Sequence, residues 1–178
     1  ILFSDLLTLA ESYRVDESER IWTLSLKPDL FWSDGKPLTA SDVLFTIEAI
    51  QNPDTRSPLA QSFQGVTAER ISERELRLTL KVPYVFFPET LRDLRIVPRH
   101  IFGNIPPANL RLSDYNLEPV GNGPYRFQQY HKEKDGYITQ YDLEQGALEI
   151  QYIEEFFGEF PRKKTAAEIV GRLGSRAH

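Results

Sequence analysis

The alternation of apolar and polar residues along this chain predicts three β-hairpins. Alternation with a period of two is typical of strands that bury one face. It is clearest in residues 75–82, where the residues expected on the core face are Leu76, Leu78, Leu80 and Val82. Polar turns separate the paired segments. The predicted hairpins join residues 12–15 to 20–26, 66–71 to 75–82, and 124–130 to 137–141.

A period of 3.6 residues predicts one well-defined helix from Thr39 to Gln51. The Thr39 hydroxyl can cap its first turn, and Asp42 follows three residues later, as a capping box requires. Asn52-Pro53 ends the helix, because proline disfavours a helical residue before it. The residues predicted to form its buried stripe are Val43, Leu44, Ile47 and Ile50.

The other elements are short. Helical turns are expected at Pro88–Leu91 and Pro98–Phe102, because proline is well tolerated in a first helical turn. A strand is predicted at Leu148–Ile153 and a helix from Thr165 to Leu173. Trp22 and Trp32 are predicted to belong to the core.

Composition narrows the class of protein. The chain has 178 residues, 40% of them hydrophobic and 26% charged, which is ordinary for a globular domain with its own core. The net charge of -5 offers no basic surface for nucleic acid. The absence of cysteine excludes a disulfide framework, a thiol nucleophile and a cysteine metal site. Because methionine is also absent, Ile1 is not expected to be a natural start.

Four motifs, in order, resemble the extracellular solute-binding proteins of family 5. The longest is L-K-P-D-L-F-W-S-D-G-K-P-L-T-A-S-D-V at 26–43, and the second is P-V-G-N-G-P-Y-R-F at 119–127. I-V-P-R-H-I at 96–101 and A-E-S-Y at 10–13 are shorter. In the family's second motif, threonine usually stands where this chain has Asn122. The resemblance covers about residues 10–141.

This resemblance implies a fold and a set of domains. The expected fold is α+β, with mixed sheets, hairpins and few helices, like the first lobe of a class II periplasmic binding protein. Residues 1–9 would belong to lobe I, residues 10–141 to its accessory subdomain, and residues 142–178 to a return into lobe I. The second lobe would be absent, so the chain would be an N-terminal part of a longer receptor.

The resemblance also implies a function. The full protein would be the substrate-binding component of a bacterial ABC importer, which captures a peptide-like solute between two lobes and delivers it to membrane permease subunits. It would be periplasmic or extracellular, with a lipid anchor left open, and would need no cofactor. The alternative is an interaction module derived from the family, with contacts carried by the proline-rich segment 83–119.

Three residues are candidates for ligand contact. Asn122 could offer a donor and an acceptor in a glycine-rich loop, or could simply allow the loop to bend through a left-handed backbone. Arg95 could pair with a ligand carboxylate, or could be solvated or structurally paired. Leu59 stands where peptide receptors of the family carry an aromatic residue beside the ligand.

Signals for an enzyme or a metal site are weak. His100 and His131 have no ligand partners at metal-site spacing, and His100 is expected to be structural. Glu154 and Glu155 would point to opposite faces of a strand, so they could not act together as acid and base. No Gly-x-Ser-x-Gly motif occurs. We therefore expect no catalysis and no bound metal.

Overall fold

The computed structural model describes residues 3–123, 125–132 and 138–145. They fall into two compact units: the first runs from Ser4 to Ser113, and the second contains Phe3 and the residues from Asp114 onward. The helices of the first unit are α1 (Leu6–Leu9), α2 (Ala40–Gln51), α3 (Phe87–Asp93) and α4 (Arg99–Phe102). Its strands are β1 (Ala10–Val15), β2 (Ile21–Leu26), β3 (Thr67–Arg70) and β4 (Glu75–Thr79).

The first unit is built on a four-stranded antiparallel sheet in the order β1-β2-β4-β3. Trp22 lies opposite Val15 on one side and Leu78 on the other, and Leu24 lies opposite Leu76. The two predicted hairpins of this unit are confirmed, and their alternation separates a buried face from a solvated one.

Helix α2 begins and ends where the sequence predicts, with Thr39 as N-cap and Asn52 as C-cap. Val43, Ile47 and Ile50 are buried, but Leu44 is only half-buried. Thr46 is buried instead, because its hydroxyl serves a hydrogen-bonded contact with another segment. The buried face of α2 therefore includes Thr46 in place of Leu44, and is rotated slightly from the predicted one.

Val82 is wrongly predicted as a core residue. Its side chain is 68% exposed, whereas Leu76, Leu78 and Leu80 are buried. Strand β4 ends at Thr79, and the chain then leaves the sheet, so alternation no longer sets which side faces the core.

Aromatic rings connect the sheet to the segments that cover it. The Phe87 ring lies edge-on to the Trp22 ring at 5.4 Å between centroids and to the Phe63 ring at 6.5 Å. Tyr13 stacks on Trp22 at 5.5 Å. Trp22 and Trp32 are both buried, as predicted.

The turn between β1 and β2 is organised by Asp16. Its carboxylate accepts hydrogen bonds from the Ser18 hydroxyl at 2.6 Å and from the Ile21 N–H at 2.8 Å. These bonds lower the pKa of Asp16 from 3.8 to about 2. A lowered pKa in the folded state stabilises the turn above about pH 3.8, and this contribution is lost as the pH falls toward 2.

The second unit contains one described hairpin, β5 (Tyr125–Lys132) with β6 (Ile138–Gln145), paired antiparallel with two register shifts. The third predicted hairpin is therefore confirmed. The predicted strand at Leu148–Ile153 and the predicted helix from Thr165 lie outside the described residues.

The α+β fold class is confirmed. Every strand pairing among the described residues is antiparallel, so the mixed sheets expected from the resemblance do not occur in that part of the chain. None of the helices within it is long and apolar enough to cross a membrane.

Candidate functional site

The N-terminal half of α2 forms hydrogen bonds within its own first turn and with the segment 96–100, which is distant in the sequence. The capping box forms as predicted: the Thr39 N–H donates to Asp42 Oδ2 at 2.9 Å, and the Thr39 hydroxyl oxygen accepts from the Ser41 N–H at 3.3 Å. Asp42 is only 5% exposed, so its carboxylate needs these partners to offset desolvation.

Asp42 and Thr46 also hold the segment 96–100. The Arg99 N–H donates to Asp42 Oδ1 at 2.9 Å, and the Val97 N–H donates to the Thr46 hydroxyl oxygen at 3.1 Å. The Thr46 hydroxyl itself donates to the Asp42 carbonyl at 2.7 Å. One face of α2 therefore fixes the backbone on either side of Pro98.

The Asp-Gly turn before α2 contacts the same segment. His100 Nε2 lies 2.7 Å from Asp34 Oδ2 and donates to it, because an ionised carboxylate can only accept. The other Asp34 oxygen accepts from the Lys36 N–H at 3.1 Å. The Trp32 ring lies edge-on to the His100 ring at 6.4 Å. His100 thus has the structural contact expected of it.

We call Asp34, Asp42, Thr46 and His100 the α2 frame. It joins two of the recognised motifs, at 26–43 and 96–101, through side chain contacts that no local pattern encodes. Asp42 was identified from sequence only as a helix-capping residue, and Thr46 was not singled out. The sequence feature that could have indicated these contacts is the presence of both motifs in one chain.

The C-terminal end of α2 holds a second segment. Gln51 Nε2 donates to the Phe63 carbonyl at 2.7 Å and to the Val66 carbonyl at 2.6 Å. These two bonds tie the loop that carries Leu59 to the last turn of the helix.

Replacing Gln51 by Glu should loosen this loop. Glutamate has nearly the same shape but cannot donate when ionised, so both carbonyls lose the bond from residue 51. The Phe63 carbonyl keeps the bond from the Val66 N–H at 3.1 Å, so the Val66 carbonyl is the more affected of the two. We expect the free energy of unfolding to fall by about 1–3 kcal/mol. Urea denaturation measures this, with Glu48→Gln on the exposed face of α2 as the control. A loss no larger than that of the control would contradict the role given to Gln51.

Arg95 lies at the surface between two fully buried residues, Leu94 and Ile96. Its backbone forms an isolated antiparallel bridge with Asp5, and its guanidinium donates to the Arg92 carbonyl. The backbone is therefore fixed, and most of the side chain faces solvent. This arrangement leaves donors of the guanidinium available to a carboxylate.

Leu59 is half-buried in the loop after α2. Its N–H donates to the Ser57 hydroxyl oxygen at 3.2 Å, and its carbonyl accepts from the Phe63 N–H at 3.2 Å. Arg95 lies two residues after the end of α3, whereas Leu59 lies in the loop that Gln51 at the end of α2 holds. Helix α2 is hydrogen-bonded to Val97 and Arg99, which follow Arg95, and to Phe63 and Val66, which follow Leu59.

Asn122 lies in the other unit and is buried, as is Gly121. In the described residues, the non-glycine positions with a left-handed backbone are Glu19, Asp29 and Arg56. The predicted left-handed conformation of Asn122 is therefore wrong. Burial also raises the pKa of Tyr125, which opens the strand after this loop.

In the described part of the chain, no three side chains of the His, Cys, Asp and Glu types come together in a way that could hold a metal ion. The arrangement around α2 consists of hydrogen bonds to the backbone of the segment 96–100 and of the Asp34–His100 contact.

The chain is similar in sequence to a family of known proteins. Residues 7–141 match the family described as bacterial extracellular solute-binding proteins, family 5 Middle. The oligopeptide-binding protein AppA of Bacillus subtilis is 30% identical over 127 residues, which are 70% of this chain and 23% of AppA.

Solved structures agree in fold. The structure of Bacillus subtilis AppA with a nonapeptide has a TM-score of 0.70 at 28% identity, covering 82% of this chain and 30% of that one. NikZ of Campylobacter jejuni with Ni(L-His) has a TM-score of 0.70 at 27% identity, covering 89% and 31%. A periplasmic oligopeptide-binding protein of Thermotoga maritima with bound mannohexaose has a TM-score of 0.68 at 26% identity, covering 91% and 30%.

The chain thus spans about a quarter to a third of the length of these relatives. The matched residues include the α2 frame, both hydrogen-bonded motifs and the two candidates Arg95 and Leu59. The family is one of solute-binding proteins rather than enzymes. On this evidence the chain belongs to the bacterial extracellular solute-binding proteins of family 5.

Proposed function

We propose that this chain is part of the substrate-binding component of a bacterial ABC importer. The observation that carries the proposal is the family match over residues 7–141, in which two motifs are joined at the α2 frame. In the full-length protein, a peptide-like solute is captured between two lobes that close by hinge rotation. The closed form is then delivered to the membrane permease subunits from the periplasm or the cell surface.

Within this function, residues 10–141 are the accessory subdomain of the first lobe, and residues 1–9 and 142–178 belong to the lobe itself. A peptide is the proposed solute because AppA binds a nonapeptide. The relatives with Ni(L-His) and mannohexaose carry chemically different ligands on a similar fold. The fold therefore does not determine the solute, whose identity is tested by the binding measurements.

Arg95 is the proposed contact for a ligand carboxylate. Its guanidinium is exposed, while buried neighbours and the Asp5 bridge hold its backbone, so little ordering is required on binding. Leu59 is proposed to pack against an apolar part of the ligand. Asn122 is proposed, independently of these two residues, as a polar contact for a ligand.

Replacing Arg95 by Ala should weaken the binding of peptides with a free carboxyl terminus. A hydrogen bond to a charged group contributes about 1.5–3 kcal/mol, so affinity should fall roughly 10- to 150-fold. Isothermal titration of the full-length gene product with a set of nonapeptides measures this change. The same peptides with amidated termini should lose little when Arg95 is removed.

Arg92→Ala is the matched control. Arg92 is also exposed and near Arg95, but its guanidinium pairs with Glu89 at 2.8 Å one helical turn away. Equal losses in the two variants, or equal losses for amidated and free peptides, would exclude Arg95 as a carboxylate contact.

A second candidate function is an interaction module that no longer transports a solute. The observation in its favour is an exposed apolar segment before α3, in which Val82, Tyr84, Val85 and Phe86 all face solvent. Uptake measurements distinguish the two. Deletion of the full-length gene should reduce peptide uptake if the first proposal holds, and should leave uptake unchanged if the second does.

A further inference from the structure

The turn at Asp34-Gly35 combines a chemically labile sequence with a tightly held side chain. In an Asp-Gly pair, the glycine nitrogen can attack Cγ of the protonated aspartate carboxyl group. One water leaves, and a succinimide ring forms. Water then opens the ring at either carbonyl, giving aspartate or isoaspartate, so the overall change is an isomerisation without change of mass. Glycine favours this step because it has no side chain to obstruct the ring.

The structure restrains each group that takes part in this reaction. Asp34 Oδ2 accepts from His100 Nε2 at 2.7 Å, and Asp34 Oδ1 accepts from the Lys36 N–H at 3.1 Å. The attacking nitrogen is engaged as well, because the Gly35 N–H donates to the Trp32 carbonyl at 2.9 Å. Ring closure must break these bonds and rotate the carboxyl group away from His100.

We propose that Asp34 is a site where isoaspartate can form and that the hydrogen bond from His100 slows this reaction in the folded chain. The side chains of Asp34 and His100 are each about one-third exposed, so water can reach the pair once it opens. His100 belongs to a segment that Asp42 holds through the Arg99 N–H. The backbone next to His100 is therefore held in place, which positions the imidazole beside Asp34. This role is independent of solute binding.

Isomerisation of Asp34 would break contacts within the α2 frame. Isoaspartate adds one carbon to the main chain at the turn and shortens the side chain by one. The Trp32 N–H donates to the Lys36 carbonyl across this turn at 2.8 Å, and the added carbon would disrupt that closure. The contact with His100 would be lost at the same time.

The test compares the wild-type chain, His100→Ala and the free peptide with the sequence of residues 31–38 during prolonged incubation at neutral pH. Isoaspartate is quantified by enzymatic methylation and located by peptide mapping. We expect severalfold slower formation at Asp34 in the wild-type chain than in the peptide, and a rate in His100→Ala that approaches the peptide. The second Asp-Gly pair, Asp135-Gly136, is measured in the same digests and should not respond to His100→Ala.

A variant destabilised elsewhere separates local protection from general loosening. Ile47→Val removes one buried methylene from α2 without touching the turn. It should leave the Asp34 rate near that of the wild-type chain. The proposal is overturned if the wild-type chain isomerises as fast as the peptide, if His100→Ala matches the wild-type chain, or if Ile47→Val and His100→Ala accelerate the reaction equally.

Discussion

Replacing Phe87 by Ala should lower the free energy of unfolding by about 3–5 kcal/mol, the range seen for aromatic residues removed from cores. The side chain is 1% exposed and lies between Trp22 of the sheet and Phe63 of the loop after α2. Its removal leaves a cavity that two other rings line, and these rings are held by separate segments. Urea denaturation monitored by the fluorescence of the two buried tryptophans, Trp22 and Trp32, measures the loss.

The adjacent residue provides a matched control. Phe86 has the same side chain, but it is 63% exposed. Phe86→Ala should change stability by no more than about 0.5 kcal/mol, as expected for surface substitutions. Phe87→Leu keeps most of the buried volume and should cost less than Phe87→Ala. If the two alanine variants lose similar stability, the aromatic cluster does not carry the packing assigned to it.

Replacing Asp42 by Ala should have the second largest effect. The change removes a capping interaction, which contributes about 1 kcal/mol, and leaves the part-buried Arg99 N–H without its acceptor, which costs about 1–3 kcal/mol more. We therefore expect a loss of roughly 2–4 kcal/mol. Amide hydrogen exchange gives a local readout, because the Arg99 N–H loses its acceptor although it lies 57 residues away.

The variant Asp42→Asn keeps the shape of the side chain but reduces the number of its acceptor oxygens. Asparagine retains one of the two oxygens, so it can serve either the Thr39 N–H or the Arg99 N–H but not both. Its stability should lie between those of the wild-type chain and Asp42→Ala. Unchanged exchange at Arg99 in Asp42→Ala would show that this carboxylate does not hold the segment.

Local elements of the fold could be predicted because their causes are local. The alternation in β2 and β4 specifies which face is buried, and Thr39 and Asn52-Pro53 specify where α2 begins and ends. Two of the wrong predictions, at Val82 and in the stripe of α2, occur where the chain leaves regular structure or where a polar contact intervenes. Val82 follows the end of β4, and the position of Thr46 is set by its bond to Val97.

The α2 frame could not be predicted from periodicity. Asp42 and Arg99, and likewise Asp34 and His100, are distant in sequence, and neither pair has a pattern that links its members. Capping chemistry predicts one use of Asp42, but its second oxygen is free to serve any donor that folding brings close. The ligand candidates Arg95, Leu59 and Asn122 stay predictions, and the binding experiments decide them.

The most direct test of the central claim is native mass spectrometry of the full-length gene product, purified without denaturation. We expect a mature protein several times longer than this chain that releases bound peptides on unfolding, with less bound peptide in the Arg95→Ala variant. A mature protein no longer than this chain, with no bound solute and no response to added peptides, would contradict capture between two lobes.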